Sequence, residues 1–459
     1  MTALALALVI PWMAGIVLVA LDGRRRLVGW LAIAALGLHL GALVALAIDV
    51  VPGRAVRFVT GGWPADVGIV MRADTLGIAF AMISAVMLLA AAVQAVLEGV
   101  GERTFPGLVL LLATGLSGLF LTGDVFNFYV FFEIAMTAAY VLTTYGGGRR
   151  ELGAALVFAA VNLLGSSVFL LAIAGVYRVT GTLAMETISL RMASVEPNAA
   201  ILIAVGFFIA FGVKLGLFPF HFWLPTVYTG ARPAAAAILS GALANIGAYG
   251  LLRFGAELLP NESALGATTL ILIGGASIVY GGVLAVSRRD VAETLAYSSI
   301  GQVGYVLLAL GVGGPVGLAA AVLYALVNSL NKTMLFLAVG VRGGLIGAVF
   351  AVGALSVAGM PPAVGFLGKL ALVHTAIVAR SPALVVLLVA GSALSFVYMF
   401  QIYQHEFWRG PRPGHRSPWP LQVLPAILAL LVLTAGLWPE PLLAVSRDAA
   451  AVLSRGGQR

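Results

Sequence analysis

Long apolar stretches recur along almost the whole chain and are separated by short polar segments. Each stretch is about 20 residues long, the length at which a helix crosses about 30 Å of hydrocarbon. The pattern therefore predicts an all-α polytopic membrane protein. About fourteen transmembrane helices are expected, near residues 2–21, 27–49, 76–98, 106–122, 123–145, 151–177, 198–218, 233–255, 266–286, 291–312, 315–342, 345–379, 382–407 and 420–438.

One segment departs from this pattern. Residues 50–75 alternate apolar and polar side chains around the sequence G-G-W-P at 61–64. A period of two residues is typical of a strand. A short external β-hairpin is therefore predicted between the second and third helices.

Two of the predicted helices are interrupted by proline. Pro219 follows Lys214 in F-G-V-K-L-G-L-F-P-F-H-F-W-L-P (211–225), and Pro361 and Pro362 precede Lys369 in G-M-P-P-A-V-G-F-L-G-K (359–369). Proline removes a backbone donor and clashes with the preceding turn, so both helices should unwind locally. Unwound backbone at membrane depth needs a cover of protein or a water-filled cavity.

The broken helices are the seventh and the twelfth, so they are five apart. An odd offset makes equivalent helices run in opposite directions, as an inverted repeat requires, and paired breaks indicate a transport site. We predict helices 1–3 and the hairpin in residues 1–105, and helix 14 with a tail in 408–459.

Composition narrows the class of protein further. Hydrophobic residues make up 61% of the chain and charged residues 10%, with a mean hydropathy of +1.07, which excludes a soluble domain. The chain has no cysteine and its five histidines lack metal-site spacing. No metal or other cofactor is expected, and the chain alone is not expected to be an enzyme.

The net charge of +8 does not indicate a nucleic-acid partner. No cluster of basic residues exceeds the three of Arg24 to Arg26, and aromatic residues do not interleave with them. Arginines instead concentrate in alternate loops, as the positive-inside rule describes. A multi-pass protein of the inner (plasma) membrane with both termini outside is predicted.

Lysine and glutamate mark the candidate chemistry. The three lysines, Lys214, Lys332 and Lys369, all lie within apolar runs, and Glu133 is the one acidic residue at the middle of a predicted span. An intramembrane charge costs about 3 kcal/mol or more on insertion scales, so such residues are functional-site hypotheses, usually for ion or proton pathways. Tyr129, Thr137 and Tyr140 share a helical face with Glu133.

Polar residues repeat every four positions on two other helices. Tyr324, Asn328 and Lys332 lie on the eleventh helix, and Asn245, Tyr249 and Arg253 on the eighth. We interpret these stripes as the lining of an interior path, with His221 beside Pro219 as a proton carrier. The alternatives are interhelical hydrogen bonding for the stripes and for His221 an interfacial role. Lysines near span ends can also snorkel, and Glu133 can be a packing partner.

Five segments resemble a known family. They are G-D-V-F-N-F-Y-V-F-F-E (123–133), residues 211–225, R-R-D-V-A-E-T-L-A-Y-S-S-I-G-Q-V-G-Y (288–305), N-S-L-N-K-T-M-L-F-L (328–337) and S-V-A-G-M-P-P-A-V-G-F-L-G-K (356–369). In order and spacing they are similar to the antiporter-like subunits shared by Mrp-type cation/proton antiporters and respiratory complex I. The G-G-W-P hairpin followed by M-R-A-D is most similar to the D-type Mrp subunit.

The resemblance implies fourteen helices, with two inverted five-helix repeats in residues 106–255 (helices 4–8) and 266–407 (helices 9–13). It also implies an acid–lysine pair of Glu133 and Lys214, and an axis continued by Lys332 and Lys369. The family commonly has lysine where this chain has Asn245 and histidine where it has Asn328, and neither asparagine titrates.

We expect a proton-translocating subunit of a multisubunit cation (Na⁺)/proton antiporter, with other integral membrane subunits as partners. The alternatives are a proton-pumping membrane-arm subunit of an NADH-quinone oxidoreductase or hydrogenase complex, and a non-conducting scaffold of the same fold.

Overall fold

The computed structural model describes residues 2–50, 54–63, 68–99, 102–408 and 417–454. We number its helices and strands in chain order. They are α1 (Thr2–Ala20), α2 (Arg26–Asp49), β1 (Val56–Val59), β2 (Val70–Ala73), α3 (Thr75–Glu98), α4 (Phe105–Phe120), α5 (Val125–Thr143), α6 (Arg149–Thr180), α7 (Met185–Met192), α8 (Pro197–Leu215), α9 (Leu224–Gly230), α10 (Pro233–Leu258), α11 (Pro260–Leu265), α12 (Ala267–Val286), α13 (Val291–Val312), α14 (Gly314–Ala338), α15 (Gly344–Ala358), α16 (Gly365–Val378), α17 (Pro382–Trp408), α18 (Trp419–Leu437) and α19 (Glu440–Ser454).

The fourteen-span all-α architecture is confirmed. Twelve of these helices are long and apolar enough to cross a membrane by themselves. The other two spans are α4, which is shorter, and the pair α15 and α16 on either side of the second break. The repeat boundaries at 106–255 and 266–407 stay a prediction.

Three helices form the centre of the molecule. In the apolar stretches of α10 and α14, 94% of the residues are buried, and in that of α13 the share is 89%. In the apolar stretch of α1 it is only 28%. Charged groups on these three helices are therefore held away from lipid. Within α10 the helix widens into π-helical turns at Ile238–Leu243 and Leu251–Leu258.

The predicted hairpin is present. Strands β1 and β2 pair antiparallel from Val56 opposite Ala73 to Val59 opposite Val70, and the tip residues 64–67 lie outside the described residues. Met71 forms a bridge to Thr122, in the connection between α4 and α5. An even number of spans precedes each of these segments. They therefore lie on the same side of the membrane as the start of the chain, and we call this side of the protein the terminal face.

The two breaks have the same local geometry. The α8 helix ends at Gly216 and the α15 helix at Gly359, both in the left-handed region with φ of 62° and 81°. In each, the next amide donates to a carbonyl five residues back, from Leu217 to Gly212 and from Met360 to Leu355. Glycine suits this helix end because it has no Cβ. The predicted unwinding beside Pro219 and beside Pro361 and Pro362 is confirmed.

The tail predicted after helix 14 contains a further helix. Residues 440–454 form α19, which packs against α14 and α3. Its apolar side chains Val452 and Leu453 are buried, and its charged residues at 440, 447 and 448 face outward or half outward. This helix is apolar on one face only. It therefore lacks the long apolar run by which the transmembrane helices were predicted from the sequence. Residues 409–416 and 455–459 are not described.

Candidate ion pathway

All three lysines are buried without a carboxylate partner. Relative exposure is 8% for Lys214, 0% for Lys332 and 7% for Lys369. Among the residues that the structure describes, no Asp or Glu oxygen lies within 4.0 Å of any of the three ammonium groups. Each ammonium instead donates to neutral oxygen atoms. They are thus buried cations solvated by dipoles.

Lys214 lies near the end of α8, directly before the first break. Its Nζ atom donates to the carbonyl oxygen of Asn162 on α6 at 3.2 Å and lies 4.2 Å from the centre of the Phe132 ring. Both contacts stabilise a cation in an apolar setting. Beside it is a cavity of about 10 Å³, also lined by Trp223 and by Ala244 on α10, which is near the minimum size for one water molecule.

Glu133 and Lys214 are neighbours without direct contact. Glu133 follows Phe132 on α5, and the Phe132 ring lies against the Lys214 ammonium. The Oε1 atom of Glu133 is buried and has no hydrogen-bond partner among the described residues. The carboxylate lines a groove of about 460 Å³ on the side of α4 and α5, together with Tyr129 and Thr137. The predicted polar face of α5 therefore opens sideways, toward the surroundings of the chain.

Asn245 joins three central helices. Its Nδ2 atom, which carries two protons, lies within hydrogen-bond distance of three acceptors: Ser84 Oγ on α3 at 3.0 Å, Ser329 Oγ on α14 at 3.1 Å and the carbonyl oxygen of Gly241 at 3.0 Å. The Gly241 carbonyl also accepts a bond from Ser329. Since Ser329 precedes Lys332 by three residues on one helix, the amide lies one turn from the next ammonium.

Lys332 is held by α13. Its Nζ atom donates to the carbonyl oxygen of Leu295 at 3.1 Å and to Ser298 Oγ at 2.8 Å. A chain of hydrogen-bonded side chains continues from Ser298.

The chain runs through three further polar side chains. Ser298 Oγ and the Tyr398 hydroxyl on α17 are 2.8 Å apart, and Gln302 Nε2 donates to the same hydroxyl at 3.1 Å. Tyr324 on α14 then donates to Gln302 Oε1. Together these hydrogen bonds form a continuous polar connection through the buried core.

Lys369 lies at the far end of this connection. Its Nζ atom is 5.1 Å from the centre of the Tyr305 ring, which lies 5.2 Å from the Tyr324 ring. It donates to the carbonyl oxygen of Ala358 at 3.3 Å, across the second break. We call the row Lys214, Asn245, Lys332, Tyr324 and Lys369 the central axis.

The two break lysines are not equivalent by position. Lys214 comes two residues before the left-handed glycine of its break, and Lys369 comes ten residues after the corresponding Gly359. In the first break, Trp223 caps a free carbonyl at the end of α8: its Nε1 atom donates to the Val213 oxygen at 2.9 Å. The two breaks therefore share their backbone geometry, but their lysines stand at different positions relative to the left-handed glycine.

His221 and Asn328 lie beside the central axis. The His221 ring, within the first break, packs 4.3 Å from the Tyr280 ring and 5.5 Å from the Phe218 ring, and its Nδ1 atom is buried without a hydrogen-bond partner among the described residues. Asn328 is half-buried and belongs to none of the hydrogen bonds described above. Its neighbour Ser329 meets Asn245 instead. On the eleventh helix, Tyr324 and Lys332 therefore lie on the central axis as the stripe predicted, and Ser329 takes the place of Asn328.

The sequence pattern did not identify several side chains of the hydrogen-bonded chain. Ser298, Gln302 and Tyr305 follow at intervals of four and three, so they form a detectable polar stripe on α13. Tyr398 gives no such signal because a single tyrosine in an apolar helix is unremarkable, and its partners lie about 100 residues away in sequence.

These features define the class: a polytopic membrane protein with a buried cationic axis running between two broken helices. The chain belongs to the family described as "NADH:quinone oxidoreductase/Mrp antiporter, TM", whose model matches residues 122–395. It is therefore an antiporter-like membrane subunit, as the sequence motifs predicted.

Relatives from both branches of the family are similar over most of their length. The chain is 32% identical to the D-type subunit of the Na(+)/H(+) antiporter of Alkalihalophilus pseudofirmus over 385 residues, which cover 79% of this chain and 78% of the relative. It is 33% identical to the N-type subunit of the NADH-quinone oxidoreductase of Desulforudis audaxviator over 444 residues, which cover 89% and 88%.

One solved structure matches the whole fold. A chain of the Mrp complex from Dietzia superposes with a TM-score of 0.92 at 27% identity, covering 99% of this chain and 98% of that one. The proteins that this chain resembles in structure thus include members of multisubunit membrane complexes.

Proposed function

We propose that the chain is the proton-translocating, D-type subunit of a multisubunit Na⁺/H⁺ antiporter in the plasma membrane, with its terminal face outside. The observation that carries the proposal is the set of three buried lysines, none of which has a carboxylate oxygen within 4.0 Å among the described residues. A buried ammonium group without a direct ion pair is hard to explain as a structural element, because hydrogen bonds to neutral dipoles compensate its desolvation only in part. The similarity to D-type antiporter subunits supports the same function.

Lysine suits proton transfer because its ammonium can release a proton and take it back, whereas a guanidinium stays protonated. The charge state of Lys214 depends on nearby charge, and Glu133 is the nearest acid that can supply it. When a negative charge approaches, Lys214 holds its proton; when the charge moves away, the proton passes toward Asn245 and Lys332. Asn245 orders the path without storing a proton. The Ser298–Tyr398–Gln302–Tyr324 chain is the polar route that leads from Lys332 toward Lys369.

The groove beside Glu133 indicates where a partner subunit binds. A carboxylate open to the side of a membrane protein would face hydrocarbon unless another protein covered it. We therefore propose that a second integral membrane subunit packs on α4 and α5 and completes the environment of Glu133. Protons and Na⁺ are the proposed substrates, and the surrounding lipid covers the remaining apolar surface.

Proton flux in vesicles containing the purified complex tests the proposal. Wild-type complex should acidify or alkalinise the vesicle interior when a Na⁺ gradient is imposed. Glu133→Gln keeps the side-chain size and removes the charge, so it should reduce flux by about tenfold or more with assembly intact. Glu293→Gln is the matched control, since the Glu293 carboxylate forms a half-exposed pair with Arg288, and it should leave flux unchanged. Normal flux in the Glu133→Gln complex contradicts the proposal.

A second candidate function follows from the similarity to the N-type subunit of an NADH-quinone oxidoreductase. The same axis would then pump protons in response to redox chemistry in other subunits. Identification of the co-purified subunits separates the two functions: redox proteins support the pump, and small membrane subunits support the antiporter. A complex that assembles and moves no protons under either driving force would instead be a scaffold.

A further inference from the structure

Four charged side chains form a closed ring at the terminal face. Arg253 Nη2 lies 2.7 Å from Asp74 Oδ1, Arg72 Nη2 lies 3.0 Å from Asp74 Oδ2, and Arg72 Nη1 lies 2.6 Å from Glu257 Oε1. A short contact between Arg253 Nη1 and Glu257 Oε2 closes the ring. Positive and negative groups alternate around it, so its net charge is zero. We call these four residues the terminal-face ring.

The ring joins the hairpin to the core. Arg72 is on β2, Asp74 caps the start of α3, and Arg253 and Glu257 are on the second π-helical turn of α10. The side chains of Arg253, Asp74 and Glu257 are 2%, 3% and 8% exposed. Well-packed apolar residues often stabilise a fold as much as a buried ion cluster does. Stability of the fold alone therefore does not explain the ring.

A polar stripe connects the ring to the central axis. Asn245, Tyr249, Arg253 and Glu257 follow at four-residue spacing along α10. Arg253 Nε donates to the Tyr249 hydroxyl at 3.0 Å, and this hydroxyl donates to the Phe120 carbonyl at 3.0 Å. The stripe thus leads from the amide at the centre of the molecule to the terminal face. Single π-helical turns inside helices occur frequently at functional sites.

Glu257 differs from Asp74 in its freedom to change state. Asp74 Oδ1 also accepts the Gly77 amide at 2.9 Å, so it is fixed as the cap of α3. Among the described residues, the Glu257 side chain bonds only to the two arginines. It is also the last charged residue of α10 before the terminal face, and the one acidic residue within 233–258.

We propose that Glu257 exchanges protons with the solution at the terminal face, and that the terminal-face ring is the closed state of this entrance to the central axis. The proposal rests on the proposed transport function. A proton that binds Glu257 neutralises it and weakens its bonds to Arg72 and Arg253, while Arg253 stays paired with Asp74. The ring then opens at Glu257, while Arg72 also stays paired with Asp74, and the stripe through Tyr249 connects to Asn245. Loss of the proton restores the ring.

Paired neutralisation tests the proposal. Arg72→Gln combined with Glu257→Gln removes one charge of each sign and leaves the Arg253–Asp74 pair, so the cluster stays neutral. Arg57→Gln combined with Glu186→Gln is the matched control, because this pair joins β1 to α7 at 2.7 Å on the same face and lies off the stripe. We expect the first double variant to lose about tenfold or more of proton flux, and the control to keep wild-type flux.

The outcomes separate the ring from the general transport function. The Glu133→Gln complex is measured in parallel. If it loses flux while an assembled Arg72→Gln, Glu257→Gln complex keeps wild-type flux, the entrance at Glu257 is overturned and the transport function stands. Equal flux loss in both double variants also overturns the proposal, because attachment of the hairpin would then be the cause. Wild-type flux in the Glu133→Gln complex contradicts the transport function itself.

Carboxyl labelling of the native complex gives a test that needs no variant to fold. A water-soluble carbodiimide with an amine nucleophile converts accessible, protonated carboxyl groups into amides, which mass spectrometry locates by peptide. We expect several-fold more labelling of Glu257 when a Na⁺ gradient drives turnover than at rest. Equal labelling of Glu257 in the two states contradicts an entrance that opens and closes.

Discussion

The ammonium of Lys332 and the hydroxyl of Ser298 are 2.8 Å apart in the most deeply buried part of the molecule. Lys332 is fully buried, and Ser298 links it to a chain of hydrogen bonds that crosses from α14 through α13 to α17. A cation at this depth therefore has a polar route away from it. The predictions below test that route and the groups at its ends.

Replacement of Tyr398 by phenylalanine should interrupt the route. The variant removes the hydroxyl between Ser298 and Gln302 and preserves the ring, so we expect a stability loss of about 1 kcal/mol and a flux loss of about tenfold. Tyr403→Phe is the control on the same helix, since Tyr403 packs its ring on Phe407 away from the chain. Equal flux in the two variants would show that Tyr398 serves packing alone.

Asn245→Lys should be tolerated and should change the pH dependence of transport. The Nδ2 atom of Asn245 has two protons and lies within hydrogen-bond distance of three acceptor oxygens, and an ammonium has three donors for the same acceptors. The variant adds a titrating group to the axis. Assembly is checked by gel filtration and the pH profile by vesicle flux. An unassembled variant would show that the site is dry packing with no room for a charge.

Lys369→Arg should impair transport although it keeps the positive charge. The guanidinium can still donate to the Ala358 carbonyl, but it cannot deprotonate. A lysine that merely snorkels predicts the opposite, because arginine snorkels as well. The reverse exchange Arg380→Lys, at an exposed residue just after the same span, is the control. Wild-type flux in the Lys369→Arg complex would reduce Lys369 to an anchor.

Asp74→Asn should destabilise the complex by about 3–5 kcal/mol, because it leaves two buried guanidinium groups with a single carboxylate. Asp290→Asn, at the exposed cap of α13 where Oδ1 accepts the Glu293 amide at 2.9 Å, should leave stability nearly unchanged, because asparagine caps a helix about as well as aspartate. Thermal unfolding of the two variants in detergent measures the difference. Similar melting temperatures would contradict a strongly coupled ring.

The Asp74 carboxyl also makes the stability of the complex depend on pH in the acid range. Burial raises the pKa of Asp74, but the guanidinium groups of Arg253 and Arg72 outweigh this and lower it from 3.8 to about 2. A lowered pKa means that the stabilisation is complete above pH 3.8 and is lost as the pH falls toward 2. Wild-type stability should therefore drop in this window, and the Asp74→Asn variant should show a smaller drop.

Much of the fold was predictable because bilayer thickness fixes the length of each apolar run. The positions of the breaks followed from Pro219 and Pro361, and the three lysines were conspicuous because a charge in a membrane span is rare. The hairpin followed from its period of two. These signals are local, so one sequence is enough to read them.

The rest depends on which helices meet. Ser84, Ser329 and Asn245 come from three helices, and no spacing indicates that their side chains converge. Arg253 and Glu257 stand near a span end in the sequence, whereas tertiary packing buries both against a hairpin about 180 residues away. Long-range pairing of this kind leaves no periodic signal in the chain.

The final helix sets an order for the assembly of the subunit in the membrane. Helix α19 lies over α3 and α14, so the last described residues of the chain cover one of its first spans. Synthesis proceeds from the N-terminus, so α19 is made after both α3 and α14. A nascent chain that has reached only α18 contains every charged residue of the central axis and lacks the helix that covers α3 and α14. The cover over these two helices therefore forms only after the axis residues have been synthesised.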